Sequence, residues 1–304
     1  MRIAVVGAGG VGGAFGAALA QSGADVTFIA RGAHLTAMQR DGLRVVGGRG
    51  ETHLRPTRAT ANPSSAGPVD YVLFCVKLWD VESAGAALRP LLGPDTAVIP
   101  LQNGIDAADR LIPLIGEQAV MGGVAQISAT IAEPGVIRQT GTFMRLIFGE
   151  LAGGKSPRGE AFLAQCRKAG FDATHSDRIV TELWLKFFFL TAASAFTAAA
   201  RAPIGQLRDD PDIAPLIKAA LAEVVALGRA RHVMLPDDVL SQSFARIEEA
   251  PPAMMASMAH DLIRGGRIEL PWLSGKVVSL GRELGIPTPV HDVLYAVLKP
   301  HIGA

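Results

Sequence analysis

The N-terminal segment carries a glycine-rich run of the kind that binds phosphate groups. Gly7-Ala8-Gly9-Gly10-Val11-Gly12 has the spacing GxGxxG and directly follows an apolar stretch that begins at Arg2. If a strand passes into a helix here, Gly7 allows the tight turn, Gly9 a close approach of phosphates, and Gly12 close packing of the helix on the strand. The helix N-terminus adds amide donors for a pyrophosphate. We predict a dinucleotide site; the alternative is a tight turn without a ligand.

The residue after the second predicted strand indicates which dinucleotide binds. An NAD site usually places Asp or Glu there, whereas the strand from Asp25 to Ala30 is followed by Arg31. A guanidinium suits a 2′-phosphate, which an acid would repel. Lys77 follows the strand predicted over 71–76 and could reach the same phosphate. The predicted cofactor is therefore NADP(H), and the alternative for both cations is a solvated surface side chain.

Three polar side chains are candidates for carbonyl chemistry, which needs a group that protonates or stabilises a developing alkoxide. Asn103 follows a strand and precedes Gly104, so it either orients a ligand or only forms a turn. Lys186 lies among apolar residues, where desolvation would make its amine a readier proton donor. The alternative for Lys186 is an ion pair with Glu182 one helical turn away. By composition alone, Glu269 is an ordinary first-turn glutamate.

The other reactive residue types form no recognisable site. Cys75 and Cys166 stand outside any CxxC pattern and are expected to be small buried residues. His260 and Asp261 lie near Ser257 without the spacing of a catalytic triad, and no grouping of histidines, cysteines and acids suggests a metal. The net charge of +1 gives no electrostatic reason to expect a nucleic acid or a membrane surface as partner.

The order of elements predicts two domains, as does the length of 304 residues. Strands and helices alternate through the first half, which predicts a doubly wound, mostly parallel sheet with an antiparallel extension. We predict an α/β Rossmann domain over 1–177 and an all-α domain over 178–304. Helical periodicity in the second domain is found over 178–200, 211–231, 236–249, 254–263, 270–284 and 288–299.

Two apolar segments could be mistaken for targeting or membrane elements. Met1–Ala20 is interrupted by glycines and fits a strand, turn and helix better than a signal peptide. Trp184–Ala200 contains Lys186 and is too short for the roughly 20 residues that span a membrane, so we predict a buried core helix. The low cysteine content fits a reducing compartment, and we expect a cytoplasmic protein.

The chain resembles the ketopantoate reductase (2-dehydropantoate 2-reductase) family over essentially its whole length. The shared features are the glycine run, Arg31, Lys77, the Asn103-Gly104 turn, the Glu182-Leu-Trp184-Leu-Lys186 segment, and Ser257 followed twelve residues later by Glu269. The resemblance implies a Rossmann domain followed by a C-terminal domain of the 6-phosphogluconate-dehydrogenase-like type. It also implies NADPH-dependent reduction of ketopantoate to pantoate, a step of pantothenate and coenzyme A biosynthesis.

The resemblance also implies roles for individual residues. Lys186 would donate the proton to the reduced carbonyl, and Glu269 would hydrogen-bond the new hydroxyl. Asn103 and Ser257 would position the 2-keto acid, with Asn103 also beside the cofactor. The glycine run, Arg31 and Lys77 would hold NADP(H), and no metal is implied. The apolar second domain is compatible with a homodimer.

Three positions depart from the family pattern. Where asparagines are expected four and eight residues after Lys186 and in the following turn, this chain has Leu190, Ser194 and Ile204. Their loss would leave a polar substrate poorly satisfied, although Arg201 could pair with a carboxylate. Two alternatives to ketopantoate reduction follow: a paralogous reductase of a less polar 2-keto acid, and a non-catalytic NADP(H)-binding regulator. Retention of both catalytic candidates argues against the regulator.

Overall fold

A computed structural model describes residues 1–303 and divides the chain into two compact units. The first comprises Met1–Gln102 and Asp106–Val180, and the second comprises Asn103–Ile105 and the chain from Thr181 onward. The boundary predicted at residue 177 lies three residues before this division, and the prediction placed Asn103–Ile105 in the first domain. Periodicity does not show which residues a three-residue loop packs against, because its neighbours are distant in sequence.

The first unit begins with two strands that alternate with two helices, followed by a short hairpin and a two-residue strand. These elements are β1 (Arg2–Val6), α1 (Gly10–Gln21), β2 (Asp25–Ile29), α2 (Gly32–Asp41), β3 (Leu43–Gly47), β4 (Thr52–Leu54) and β5 (Ala59–Thr60). The unit continues with β6 (Val69–Phe74), α3 (Val81–Ala86), β7 (Leu92–Pro100), α4 (Ala107–Ile115), β8 (Met121–Glu133), β9 (Val136–Glu150), α5 (Pro157–Lys168) and β10 (Asp172–His175).

A parallel sheet with the order β5-β2-β1-β6-β7 forms the centre of the first unit. β1 is paired at both edges, with β2 and with β6, and it is apolar on both faces because a hydrophobic core packs on each of them. Ile3 and Val5 pack into the core on one face of the sheet, and Ala4 and Val6 pack into the core on the other. The segments after β1, β2 and β6 leave the sheet at the same edge, which is where open α/β sheets bind ligands.

The antiparallel extension of the prediction is in fact part of a second sheet. In that sheet β8 pairs antiparallel with β9, which runs parallel to β3 and β10. The hairpin of β3 and β4 forms its far edge. An isolated bridge between Val98 and Val120 joins β7 to the residue before β8. The prediction did not contain α5 or β10, and β10 has only four residues, too few for periodicity to reveal.

The second unit is built from helices. They are α6 (Ile179–Ala200), α7 (Ile204–Arg208), α8 (Ala214–Ala230), α9 (Val239–Glu249), α10 (Ser257–Ile263), α11 (Ser274–Leu284) and α12 (Pro289–Leu298). The six predicted helical stretches all contain one of these helices. The additional helix, α7, has five residues and follows Pro203.

The long helix α6 contributes side chains to the core of the second unit. Of the helices in residues 1–303, it alone has the length and apolarity to cross a membrane, judged by composition only. Its side chains Trp184, Phe187 and Phe188 pack into the hydrophobic core of the unit. This is the buried core helix that the sequence predicts.

Candidate active site

The glycine run forms a tight turn at the carboxyl end of β1. Gly7 has φ +94°, which favours glycine, and a Cβ there would lie 2.8 Å from the backbone of Cys75 and Val76. A Cβ on Gly12 would collide with the carbonyl oxygen of Gly7. Both glycines are therefore required by the packing of the turn itself, as the fingerprint predicts.

Gly9 differs from its neighbours, because a Cβ built on it meets no atom within 4 Å. The helix α1 begins at the next residue with no side-chain cap and no acid in its first turn. Uncapped amides and the positive end of the helix dipole suit an anion. The open space at Gly9 and these amides fit the pyrophosphate of a dinucleotide.

Residues of the second sheet also contact the glycine-rich turn. The sequence did not indicate this contact. A Cβ on Gly10 would overlap the backbone of Ala129 in β8, so this strand covers one side of the turn. His34 of α2 links the glycine-rich turn to the connection between β8 and β9. Its Nε2 lies 2.9 Å from the carbonyl oxygen of Ala8, and its Nδ1 accepts a 3.0 Å hydrogen bond from the amide of Gly135. Since Nδ1 accepts, Nε2 carries the proton, and burial lowers the pKa of this histidine.

Arg31 and Lys77 lie at the ligand edge of the sheet, after β2 and β6. Arg31 precedes the first residue of α2, and its guanidinium forms a 3.3 Å ion pair with Asp80. Lys77 precedes the 3-10 turn Leu78–Asp80 and holds its Nζ 5.5 Å from the ring centroid of Trp79. Both predicted cations therefore lie at the sheet edge that carries the glycine turn, and Asp80 is an acid that the prediction overlooked.

Gln102 links the carboxyl ends of the neighbouring strands β6 and β7 by hydrogen bonds. Its Nε2 donates to the carbonyl oxygens of Phe74, at 2.9 Å, and of Val76, at 3.0 Å. The side chain is buried, so these bonds fix the end of β7 against the end of β6. Sequence reasoning missed this role, although the position of a glutamine at the end of a buried strand pointed to it.

The second unit contains the two predicted catalytic residues, Lys186 and Glu269, and the predicted binding residue Asn103. The Nδ2 of Asn103 donates a 3.3 Å hydrogen bond to Oε2 of Glu269, which is buried before the 3-10 turn Leu270–Trp272. Burial lowers the pKa of the Lys186 amine to about 8, and the charge of Glu269 opposes that shift. An amine with this pKa is protonated at neutral pH and gives up its proton more readily than an exposed lysine. The cluster therefore combines a proton donor, a buried carboxylate and an amide.

Two further predicted residues lie outside this hydrogen-bonded group. Ser257 is the first residue of α10 and is exposed, and within residues 1–303 no hydrogen bond joins it to Glu269 or Asn103. Arg201 is also exposed and follows α6 in the left-handed region, at φ +52°. The structure gives neither residue a direct part in the cluster.

The three departures from the family pattern have different surroundings. Leu190 and Ser194 follow Lys186 by one and two helical turns, so all three lie along one face of α6. Ser194 and Ile204 are fully buried, and Ile204 is part of the hydrophobic core. Leu190 is only partly buried. Of the three, Leu190 is thus the side chain with accessible surface.

Residue types that could bind a metal or act as nucleophiles also occur outside the cluster. In the described residues, no group of three or more histidine, cysteine, aspartate or glutamate side chains could hold a metal ion. Burial raises the pKa of both Cys75 and Cys166, which suits unreactive thiols.

Comparisons of sequence and of structure agree on the family. The model "Ketopantoate reductase PanE/ApbA" matches residues 3–153, and "Ketopantoate reductase PanE/ApbA C terminal" matches residues 178–301. The chain is 31% identical to a 2-dehydropantoate 2-reductase of Mesorhizobium japonicum, over 98% of this chain and 97% of the relative. A PanE/ApbA family ketopantoate reductase from Ralstonia eutropha has a TM-score of 0.90 and 34% identity, over 99% of this chain and 98% of that one.

A more distant structure shares the architecture. D-mandelate dehydrogenase, in a ternary structure with NADH and anilino(oxo)acetate, has a TM-score of 0.90 over 99% of this chain and 98% of its own. Its identity is 20%, so this likeness shows the fold alone.

Proposed function

We propose that this chain, which belongs to the ketopantoate reductase family, reduces 2-dehydropantoate to pantoate with NADPH. Membership of the family makes it an oxidoreductase that acts on CH–OH groups. The substrate and the preference for NADPH are the parts that we propose. The observation that carries the proposal is the grouping of Lys186, Glu269 and Asn103 in the second unit.

The first unit supplies the residues that would hold the cofactor. The amides after Gly9 suit the pyrophosphate, and Arg31 and Lys77 are placed for a 2′-phosphate at the same sheet edge. When bound, the dihydronicotinamide supplies a hydride to the 2-keto carbon.

Lys186 is the proposed general acid. As the carbonyl carbon is reduced, its oxygen becomes an alkoxide that needs a proton, and the ammonium group of Lys186 transfers one and becomes a neutral amine. A pKa of about 8 places this group close to neutral pH, where a general acid is both protonated and able to give up its proton. The buried charge of Glu269 keeps the ammonium form populated.

Glu269 and Asn103 orient the substrate in this proposal. The carboxylate of Glu269 accepts from Asn103, and its remaining lone pairs can accept a hydrogen bond from the new hydroxyl. Asn103 uses one N–H on Glu269, so its second N–H can donate to a ligand and its amide oxygen can accept from one. The pair can therefore hydrogen-bond both the keto acid and the hydroxy acid formed from it.

The partly exposed Leu190 favours a second candidate, a reductase of a less polar 2-keto acid. Leu190 lies one turn from Lys186, where it offers apolar surface and no hydrogen bond. An apolar site distinguishes weakly between a substrate with a hydroxyl and one without it. A site with a matching hydrogen-bond donor or acceptor distinguishes them strongly. Ketopantoate carries such a hydroxyl, and a simple branched 2-keto acid does not.

The two candidates are separated by NADPH oxidation with ketopantoate and with apolar 2-keto acids of similar size. If the protein is a ketopantoate reductase, the wild type should have a higher kcat/KM for ketopantoate than for the apolar acids. In the second candidate an apolar acid has the highest value, and Leu190→Asn shifts the preference toward ketopantoate by about tenfold or more. Tight NADPH binding with no turnover of any acid would contradict both and favour a regulator.

A further inference from the structure

The arginine proposed to bind the 2′-phosphate is already paired with an acid. The guanidinium of Arg31 lies 3.3 Å from Oδ2 of Asp80, and the Arg31 side chain is 73% exposed while that of Asp80 is 32% exposed. An exposed ion pair of this kind adds little to stability. Its importance lies in its position at the edge of the sheet where the ligand is expected.

Asp80 is held in place by its backbone. Its amide donates a 2.9 Å hydrogen bond to the carbonyl oxygen of Lys77, and its own carbonyl oxygen accepts from Oγ of Ser83 at 3.1 Å. Arg110 of α4 donates to the carbonyl oxygen of Leu78 at 2.6 Å and so fixes the same turn. The exposed arginine is therefore the partner with more freedom to move, and Asp80 stays at the sheet edge where Arg31 is proposed to bind the 2′-phosphate.

A carboxylate in this place acts on the two kinds of nucleotide differently. A 2′-phosphate competes with Asp80 for the guanidinium of Arg31 and sits close to the negative charge of this carboxylate. A nucleotide with a free 2′-hydroxyl keeps the ion pair, and a carboxylate can accept a hydrogen bond from that hydroxyl. The same acid thus opposes one ligand and tolerates the other.

We propose that Asp80 is a specificity-determining residue that weakens the preference of this chain for NADP(H) over NAD(H). The inference rests on the proposed role of Arg31 as the ligand of the 2′-phosphate. It predicts a protein that prefers NADPH by a modest factor and still binds NADH.

The test measures, by titration calorimetry at low ionic strength, the binding of 2′,5′-ADP and of 5′-AMP to the full chain. Asp80→Asn should bind 2′,5′-ADP about tenfold more tightly than the wild type, as expected for removing one negative charge several ångströms from a phosphate, and 5′-AMP no more tightly. The matched control is Asp41→Asn, which removes an acid from an ion pair with Arg40 at the far end of α2, ten residues or about 15 Å along the helix. It should leave both affinities unchanged.

The variant Arg31→Ala distinguishes failure of this inference from failure of the NADP(H) assignment. If Arg31→Ala loses affinity for 2′,5′-ADP while Asp80→Asn gains none, the inference on Asp80 is wrong and the assignment stands. If the wild type binds 2′,5′-ADP no better than 5′-AMP and Arg31→Ala changes neither, both are wrong. A gain in Asp41→Asn as large as in Asp80→Asn would also overturn the inference, because it would show a general charge effect.

Discussion

At the residue scale, the glycines of the first turn have separate tasks. A Cβ on Gly12 would strike the carbonyl oxygen of Gly7, whereas a Cβ on Gly9 would enter open space. The fingerprint predicted these positions because the steric demands of the turn are local. It did not show that Gly10 is required for the close approach of β8, since that contact comes from a residue more than a hundred positions later.

This difference makes a matched pair of substitutions informative. Gly9→Ala should leave thermal stability nearly unchanged and weaken NADPH binding by at least about tenfold, because the new methyl group occupies the space of the phosphates. Gly12→Ala should lower the free energy of unfolding by about 2 kcal/mol or more through overpacking. Thermal melts and NADPH titrations of both variants check this. Equal loss of stability in the two would show that Gly9 also faces protein.

The cluster of the second unit was predicted residue by residue, but not as a geometry. Lys186 and Asn103 were candidates from their own sequence surroundings, whereas composition alone favoured an ordinary role for Glu269 and the family resemblance raised it to a candidate. The hydrogen bond from Asn103 to Glu269 joins residues 166 positions apart, which no local pattern indicates. The Asp80 partner of Arg31 was missed for the same reason.

At the scale of elements, prediction succeeded where burial has a clear period. β1 is apolar on both faces because a core packs on each of them, and helices such as α9 and α11 bury one stripe each. It failed for the short β10 and α7, whose few residues are held by tertiary contacts. The prediction also merged two sheets into one, because the sequence of a strand does not identify the strands with which it pairs.

One contact between elements is predicted to stabilise the helical unit. The carboxylate of Glu223 on α8 accepts hydrogen bonds from the amides of Val290, at 2.7 Å, and His291, at 3.1 Å, at the start of α12. Glu223→Ala removes this cap and should cost about 1–2 kcal/mol of unfolding free energy. Glu248→Ala, an exposed position on α9, is the control and should change it by less than about 0.5 kcal/mol. Chemical denaturation measures both, and equal values would show that the cap contributes nothing.

At the scale of the whole molecule, the chain divides its chemistry between two units. The glycine turn and the two cations belong to the first, and the proton-transfer cluster belongs to the second. The loop Asn103–Ile105 is contributed by the first half of the chain and packs with the second unit. Keto-acid reduction is therefore expected to require both units, whereas nucleotide affinity is expected to come from the first unit.

The central claim is that Lys186 donates the proton, and its pH dependence is the direct test. Only the ammonium form can act as the acid, so the rate of keto-acid reduction should be constant below the pKa of about 8 and fall as the pH rises through it. The measurement is kcat/KM for NADPH-dependent reduction across this range, in the wild type, Lys186→Ala and Lys186→Arg. Lys186→Arg keeps the positive charge but holds its proton too tightly to donate it.

The account predicts that both variants lose activity by about a hundredfold or more and that the fall near pH 8 disappears from what remains. Nearly full activity in Lys186→Arg, or an unchanged pH profile in Lys186→Ala, would contradict it, because the proton would then come from another group.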